Sequence, residues 1–518
     1  MRVRYSNAHV WLPDGEIADS LVVEDGWITS STGEVDSEID CGGNTIWPAF
    51  VDGHAHPLLG GRELLGPQIN NLDSIEAICA TIRDWLEQQD DFQDWLVCGS
   101  YDRSLVSEGR FRAEWLDDVS RDIPIVVHAN DHHSIWVNTR ALELAGLDLV
   151  PEHLEGFIDH VNFRPTGVLR EDKAKALVLA RVVERPGLDT AALLAAHLKL
   201  ASFGITSVLD AWVDADGAQT YLNAIASANG NKILQTRLAY WLQPATWKDD
   251  LHSALAYRDE FGECVQDVRL TQAKFFIDGV FGSETALVKH PYQDGSFGYS
   301  PWQATELREA IQACVQVGLR PHLHVIGDQA VEMALAAVEH VARVQGWFES
   351  TLVHAELLQD EQILKIESLG LSVNLQPLWG RCDSMWNSTA AVLGERAHAL
   401  YRTKDLIYAG VQLGFGSDWP VSDANPFAGI FTAVTRRKAI GEQPQNESQA
   451  IQIQQAIDAY TQGSAHQIGL QNRGTLTVGM RADFIVIEGN VLETSIAEFP
   501  NLQVLETVSG GQSVFARH

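Results

Sequence analysis

The chain contains no CxxC pair, no apolar run long enough to span a membrane, and far fewer basic than acidic residues. Each shortage excludes something. The six cysteines (Cys41, Cys79, Cys98, Cys264, Cys314 and Cys382) lie far apart in sequence and read as reduced, mostly buried thiols of a cytoplasmic protein. No stretch approaches the roughly 18 consecutive apolar residues of a membrane span. The N-terminal "MRVRYSNAHVWLPDGEIADS" lacks a signal-peptide core and alternates like a strand, so neither export nor membrane insertion is expected. Against 69 acidic residues stand 37 basic ones, a formal net charge of −32. That balance argues against nucleic acid and anionic membrane as partners and favours solubility. Spread over a large surface, it does not by itself select a cationic substrate. Internal repeats and low-complexity tracts are also missing.

What is present is an ordinary folded composition, 45% hydrophobic and 20% charged with 41 glycines. At 518 residues the chain exceeds one domain of usual size, so a large catalytic domain with additions is expected. Residues 1–48 read as short strands and turns, as in "SLVVEDGWI" between "PDG" and "STGE". Residues 475–518, with "GTLTVGMRADFIVIEGN" and "LQVLETVSGGQSVF", read the same way. The two ends are expected to meet in one small β-sandwich.

The middle alternates strands with helices. Strand candidates fall near residues 46–53, 204–210, 234–241, 270–277, 320–326, 351–354, 371–375 and 411–416, most pairs separated by helix-like stretches such as "AVEMALAAVEHVARVQG". Eight such units are what a closed (β/α)8 barrel requires. The barrel would start at 49–65 and resume over 191–474. The gap between its first two strands is too long for one crossover, and 66–190 carries its own elements, "DWLVCGSYDR" and "IPIVVHANDHHSIWVNTRALELAG". That segment is expected to be an inserted α/β subdomain near the active site. A competing parse counts its strands in an open sheet.

The strand candidates finish in metal-binding or acid–base residues. "WPAFVDGHAH" ends with His54 and His56, whose spacing of two points both side chains to one side of an extended segment. "TQAKFFIDG" carries Lys274 and Asp278; "LRPHLHVIGDQA" carries His322, His324 and Asp328; "TLVHAE" ends in His354 and Glu356; "QLGFGSDWPVSD" reaches Asp418. Strand ends of a barrel share one face, so these distant positions converge. Any one histidine alone reads as a surface or hydrogen-bonded structural residue. Four histidines and an aspartate ending four different strands read as a metal centre, imidazole suiting zinc and carboxylate suiting zinc, iron or manganese. Lys274 admits three readings: a snorkelling chain, a buried ion-pair partner, or an amine carboxylated by carbon dioxide into a bridging ligand.

With these residues in hand the chain resembles the amidohydrolase superfamily, in its YtcJ-like branch that includes N-substituted formamide deformylases. The resemblance covers nearly the whole chain and rests on "FVDGHAH", "DHHSIWVNTRALELAG", "FGITSVLDA", "KFFIDGVFGSETA", "LHVIGDQAV", "LVHAELL", "FGSDWPVSDANP" and "GTLTVGMRADFIVIE". It implies a (β/α)8 TIM barrel with a β-sandwich from both termini and an inserted region near the active site. It also implies that His54 and His56 bind the more buried of two divalent ions, zinc first with iron or manganese as alternatives. N6-carboxylated Lys274 would bridge to a second ion held by His324 and His354. Asp418 would contact the metal-bound water and shuttle its proton, and His133, Trp136 and Asn138 would line the substrate pocket. Where members commonly read "DGSLGSRTA" this chain reads "DGVFGSETA", putting Glu284 in place of a basic residue. Facing the substrate, Glu284 would favour a neutral or cationic molecule; otherwise it exchanges one structural ion pair for another. His132 stands where glycine is usual, narrowing the pocket or altering the turn.

The expected reaction is hydrolysis of a non-peptide carbon–nitrogen bond, amide or N-acyl, by a metal-activated hydroxide. Asp278, His322 and Asp328 would orient the ligands through hydrogen bonds. The expected partner is a small-molecule substrate, and a homodimer is compatible with a chain of this size. Lactone hydrolysis and deamination are alternatives on the same site. A phosphoesterase is disfavoured, because no Arg/Lys cluster accompanies the metal set. A catalytically inactive binding or regulatory protein that retained the barrel is the alternative from another class.

Overall fold

The computed structural model describes residues 1–13, 15–70, 72–90, 92–130, 132–182, 186–227, 233–263 and 268–517. Two compact units emerge. One comprises Met1–His56, His197–Trp419 and Asp423–His518, the other Pro57–Ala196 with Pro420–Ser422.

In the first unit, segments rich in β-branched and aromatic residues form eight parallel strands. They are β1 (Phe50–Ala55), β2 (Ile205–Val213), β3 (Gln235–Trp241), β4 (Val268–Phe276), β5 (Arg320–Val325), β6 (Thr351–His354), β7 (Ser372–Leu375) and β8 (Gln412–Phe415), paired in sequence order. Closure comes from the residues after β8. Asp418 N–H donates to His54 O at 2.7 Å, and His56 N–H donates to Trp419 O at 2.8 Å. Gly416 makes that approach possible, since a Cβ there would lie 2.6 Å from His54 N. The result is the nearly closed barrel of a TIM fold.

Helices cross between the strands with one apolar stripe inward. Asp328–Gln345 buries Ala330, Val331, Ala334, Leu335, Val338 and Val341, the spacing of one helix face. No described helix is long and apolar enough to cross a membrane.

Both chain ends join one eight-stranded mixed sheet. Phe484–Ile487 runs antiparallel to Ser37–Pro48, which lies parallel to Arg2–Trp11. Val3, Tyr5, Val10, Leu21, Ile28, Ile46, Phe484 and Val508 belong to its apolar core. Of the stretch 475–491, only Phe484–Ile487 is strand.

The second unit holds its own five-stranded sheet, in the order Ile158–Val161, Arg164–Arg170, Ser134–Val137, Ile125–Ala129 and Leu96–Tyr101. The strands of the insertion are therefore not part of the barrel sheet. Five described cysteines are free, four of them buried and Cys382 half-buried; Cys264 lies outside the described residues.

Candidate metal centre

Pleat and strand order bring the polar strand ends together. Lys274 on β4 pairs in register with His322 on β5, and Phe276 with His324, so alternate inward positions on adjacent strands are all polar or aromatic. Around them the imidazoles are in ring contact. Centroids lie 5.0 Å apart for His54 and His322, 5.1 Å for His54 and His354, and 4.7 Å for His324 and His354. Asp418 enters from the far side of the closure, with its Oδ1 3.2 Å from His54 Nε2 and 2.8 Å from His56 Nε2. Among the described residues, donor atoms of His54, His56 and Asp418 lie within 4.8 Å of one another, and all three side chains are buried.

The cluster's electrostatics follow from burial. His54, His322 and His354 are each held well below the usual histidine pKa, desolvation being the main cause. They are therefore neutral, the state in which imidazole ligates a metal. Burial alone would raise the carboxyl of Asp418, but His56, His354 and Lys274 outweigh it and hold the group below its ordinary value. Lys274 is fully buried, and desolvation pushes it down to about 7 against the opposing charge of Asp418. Its Nζ lies 4.5 Å from the ring centroid of Phe276.

Two ring nitrogens are fixed from behind. His54 Nδ1 is 2.8 Å from His322 Nε2, and His354 Nδ1 is 2.7 Å from Gln376 Oε1. Trp379 stacks on His354 with centroids 4.9 Å apart and planes 3° from parallel. With Nδ1 engaged, His54 is left with Nε2 turned toward Asp418, buried and without a hydrogen-bond partner. A buried imidazole nitrogen left over in this way calls for an acceptor of its lone pair. The donor set, imidazoles and a carboxylate, fits a divalent zinc, iron or manganese ion.

The backbone is bent to serve the cluster. His354, Ala355 and Asp418 have φ of 69°, 41° and 55°, a left-handed geometry that costs a non-glycine residue roughly 1–2 kcal/mol. Asp52 pins the closure, accepting from His54 N–H at 3.1 Å, Ser417 N–H at 3.0 Å and Ser417 Oγ at 2.5 Å. Burial lifts its carboxyl to about 6. Neither Asp52 nor Gln376 stands out in the sequence as a site residue. The one available signal was the position of Asp52 inside "VDGHAH", two residues before the first histidine.

The remaining expected residues divide. Asp278 accepts from the N–H groups of Ile326, Gly327 and Leu287 at 3.0, 2.9 and 2.9 Å, and its Oδ1 is 3.8 Å from His324 Nε2. It thus anchors the loops beside that histidine. Asp328 corrects the expectation of a ligand-orienting role: its carboxylate accepts from Lys289 N–H and Gln359 Nε2, neither of them an expected ligand. Glu284 is half-buried and left-handed, at φ 56° after a short turn. Burial first, then the like charge of Asp294, raises its carboxyl above the ordinary value.

Two of the pocket residues expected in the second unit, Trp136 and Asn138, also need correction. Trp136 is fully buried against Tyr101, Phe111 and Trp115, and donates Nε1–H to Arg112 O at 2.8 Å. Asn138 caps helix Thr139–Leu144, accepting from Ala141 N–H, and also accepts from Ile125 N–H while donating to Ser120 O and Ile123 O. Both are spent on folding that unit. His133 Nδ1 lies 3.0 Å from Glu171 Oε2. His132 adopts φ 55°, the left-handed conformation that glycine takes most readily.

A parallel barrel with buried imidazoles and a carboxylate at its strand ends defines a class of protein, one built to hold a cation at the mouth of a TIM fold. The chain belongs to the amidohydrolase family, whose model matches residues 37–515. Among curated relatives, YtcJ of Bacillus subtilis (strain 168) is 28% identical over 98% of both chains. The N-substituted formamide deformylase of Arthrobacter pascens is 25% identical over 92% of this chain and 89% of its own. Among solved structures, an uncharacterized metal-dependent hydrolase from Pyrococcus horikoshii OT3 shares the fold, with a TM-score of 0.76 and 22% identity over 96% of this chain and 99% of that one.

Proposed function

We propose that the protein is a metal-dependent hydrolase that cleaves a non-peptide carbon–nitrogen bond in an amide, N-formyl or other N-acyl compound. The observation that carries this reading is the buried Nε2 of His54, which lies 3.2 Å from Asp418 Oδ1 and makes no hydrogen bond, in a chain of the amidohydrolase family. The similarity to an N-substituted formamide deformylase supports the substrate class.

His54 and His56 would hold one ion and His324 and His354 a second, with Lys274, as its N6-carboxylate, bridging them. Bound there, divalent zinc, or iron or manganese in its place, lowers the pKa of coordinated water and polarises a carbonyl. The rest is the work of the chain. Asp418 takes a proton from the attacking water on its carboxylate and returns it to the departing nitrogen, which leaves poorly until protonated. His322 and Gln376 hold the imidazoles of His54 and His354 in orientation from their Nδ1 side. Burial of the whole set keeps these hydrogen bonds out of competition with bulk water. The five described cysteines, all free, suit a reducing cytoplasm.

The decisive experiment is Asp418→Asn assayed on N-formyl and N-acyl amines together with metal analysis. Turnover is expected to fall by about 10²–10⁴-fold with most of the metal retained. Loss of metal with normal activity per remaining ion would reduce Asp418 to a ligand and remove the proton shuttle.

A further inference from the structure

Three large aromatic side chains stand at the ends of consecutive barrel strands. Trp212 lies on β2, Trp241 closes β3 and Phe276 closes β4. Most residues of these strands are buried, yet all three aromatics are only partly so. They pack edge to face around one another, with centroids 5.6 Å apart for Trp212 and Trp241, 5.4 Å for Trp212 and Phe276, and 6.0 Å for Trp241 and Phe276. The interplanar angles are 86°, 75° and 90°, the geometry preferred by ring quadrupoles.

This wall abuts the candidate metal centre. Trp212 is 6.1 Å from the ring of His56 and Phe276 is 5.1 Å from that of His324. One face of Phe276 is taken by Lys274. Trp241 is the outer member, and its ring contacts are with the other two aromatics. Apolar area kept accessible next to polar, catalytic-type side chains marks a ligand surface better than a folding need. Folding would be served as well by full burial or by polar strand ends.

We infer that Trp212, Trp241 and Phe276 form the specificity wall of the site, holding a flat apolar substituent of the substrate beside the bond to be cleaved. This rests on the hydrolase reading above and adds to it the chemistry of the non-reacting part of the substrate. The rigid triad offers ring edges and faces but no hydrogen-bonding group except the two indole N–H donors. A phenyl-sized group therefore gains contact there, while a hydroxyl of similar length is desolvated with no acceptor for its proton.

The test uses matched substrates, N-formyl-3-phenylpropylamine against N-formyl-3-hydroxypropylamine. A mirrored pair places the same groups on the acyl side of N-methyl amides and shows which side of the bond meets the wall. The wild type should prefer the phenyl member of one pair in kcat/KM. Trp241→Ala should cut that preference about tenfold or more, the scale of an apolar contact in a pocket, with metal content unchanged. Trp241→Leu, which keeps apolar packing if the alanine variant folds poorly, should cut it less. Equal kcat/KM for both members of both pairs, or a preference that survives both variants, would overturn the wall. If no pair is turned over although metal is bound, hydrolysis fails independently. Calorimetry with 3-phenylpropylamine and 3-hydroxypropylamine then decides the wall: a phenyl preference erased by Trp241→Ala supports it, and equal binding refutes it.

Discussion

The terminal sheet and the barrel mouth both gather distant segments, and both bury polar side chains, yet they treat those groups differently. In the terminal sheet several such groups are spent on the fold itself. Thr45 Oγ1 donates to Gly489 O at 2.8 Å and accepts from Val491 N–H at 2.9 Å. Thr507 Oγ1 donates to Ala201 O at 2.7 Å, and Asp483 accepts from Gly510 N–H while pairing with Arg473. At the barrel mouth bonding is incomplete: His54 Nε2, 3.2 Å from Asp418 Oδ1, and His322 Nδ1 are buried and make no hydrogen bond. Unpartnered buried atoms also occur in the terminal sheet, as at Trp47 Nε1, but at the mouth they are imidazole nitrogens gathered beside a buried carboxylate, the donor types that ligate a cation. The clustering of such residue types separates the two regions.

Substitutions can break or sharpen that contrast. The largest loss of turnover belongs to Asp418→Asn. Next is Lys274→Ala, expected to abolish most activity and to recover part of it when a small carboxylate such as acetate is added to the assay. Failure of rescue, together with a native mass at Lys274, would remove the carboxylate from the site. His322→Leu leaves His54 Nδ1 without its partner and should cost about 10–100-fold in metal affinity or activity, read by metal titration against a chelator. Thr45→Val, on the other side of the comparison, should lower stability by about 1–3 kcal/mol in denaturant unfolding and leave kcat/KM as it was. An activity loss there would erase the distinction between the regions.

A smaller effect concerns pH. His197 is fully buried, and desolvation holds it at about 3, below its ordinary value of 6.5. Between those values the unfolded chain takes up a proton that the folded chain refuses. Stability from this residue is thus complete above pH 6.5 and is lost as pH falls through the window. Melting temperature should drop for the wild type between about pH 7 and about pH 5, and drop less for His197→Leu.

Much of this architecture was legible in the sequence, for identifiable reasons. Parallel strands buried on both faces write themselves as short apolar runs, and β6 is Thr351–His354, where "TLVH" already ends at a polar residue. Spacing of two carried His54 with His56 and His322 with His324, because alternate strand residues share a face. What stayed hidden depends on direction in space. "SIWVN" displays a tryptophan and an asparagine but not that Trp136 faces a core and Asn138 a helix end. Asp328 has the same difficulty: it follows a strand closely enough to look catalytic, yet the chain has already turned into a helix there. Gln376 and the aromatic wall exist only through pairings between strands that no local pattern records.

The central claim, that the leftover donors at the barrel mouth belong to a cation, is tested most directly by anomalous diffraction from crystals of metal-loaded protein. The expected result is an anomalous peak within coordination distance of His54 Nε2 and His56 Nε2, with Asp418 adjacent. Metal located elsewhere, with His54 and Asp418 joined only by a hydrogen bond in fully loaded protein, would contradict it.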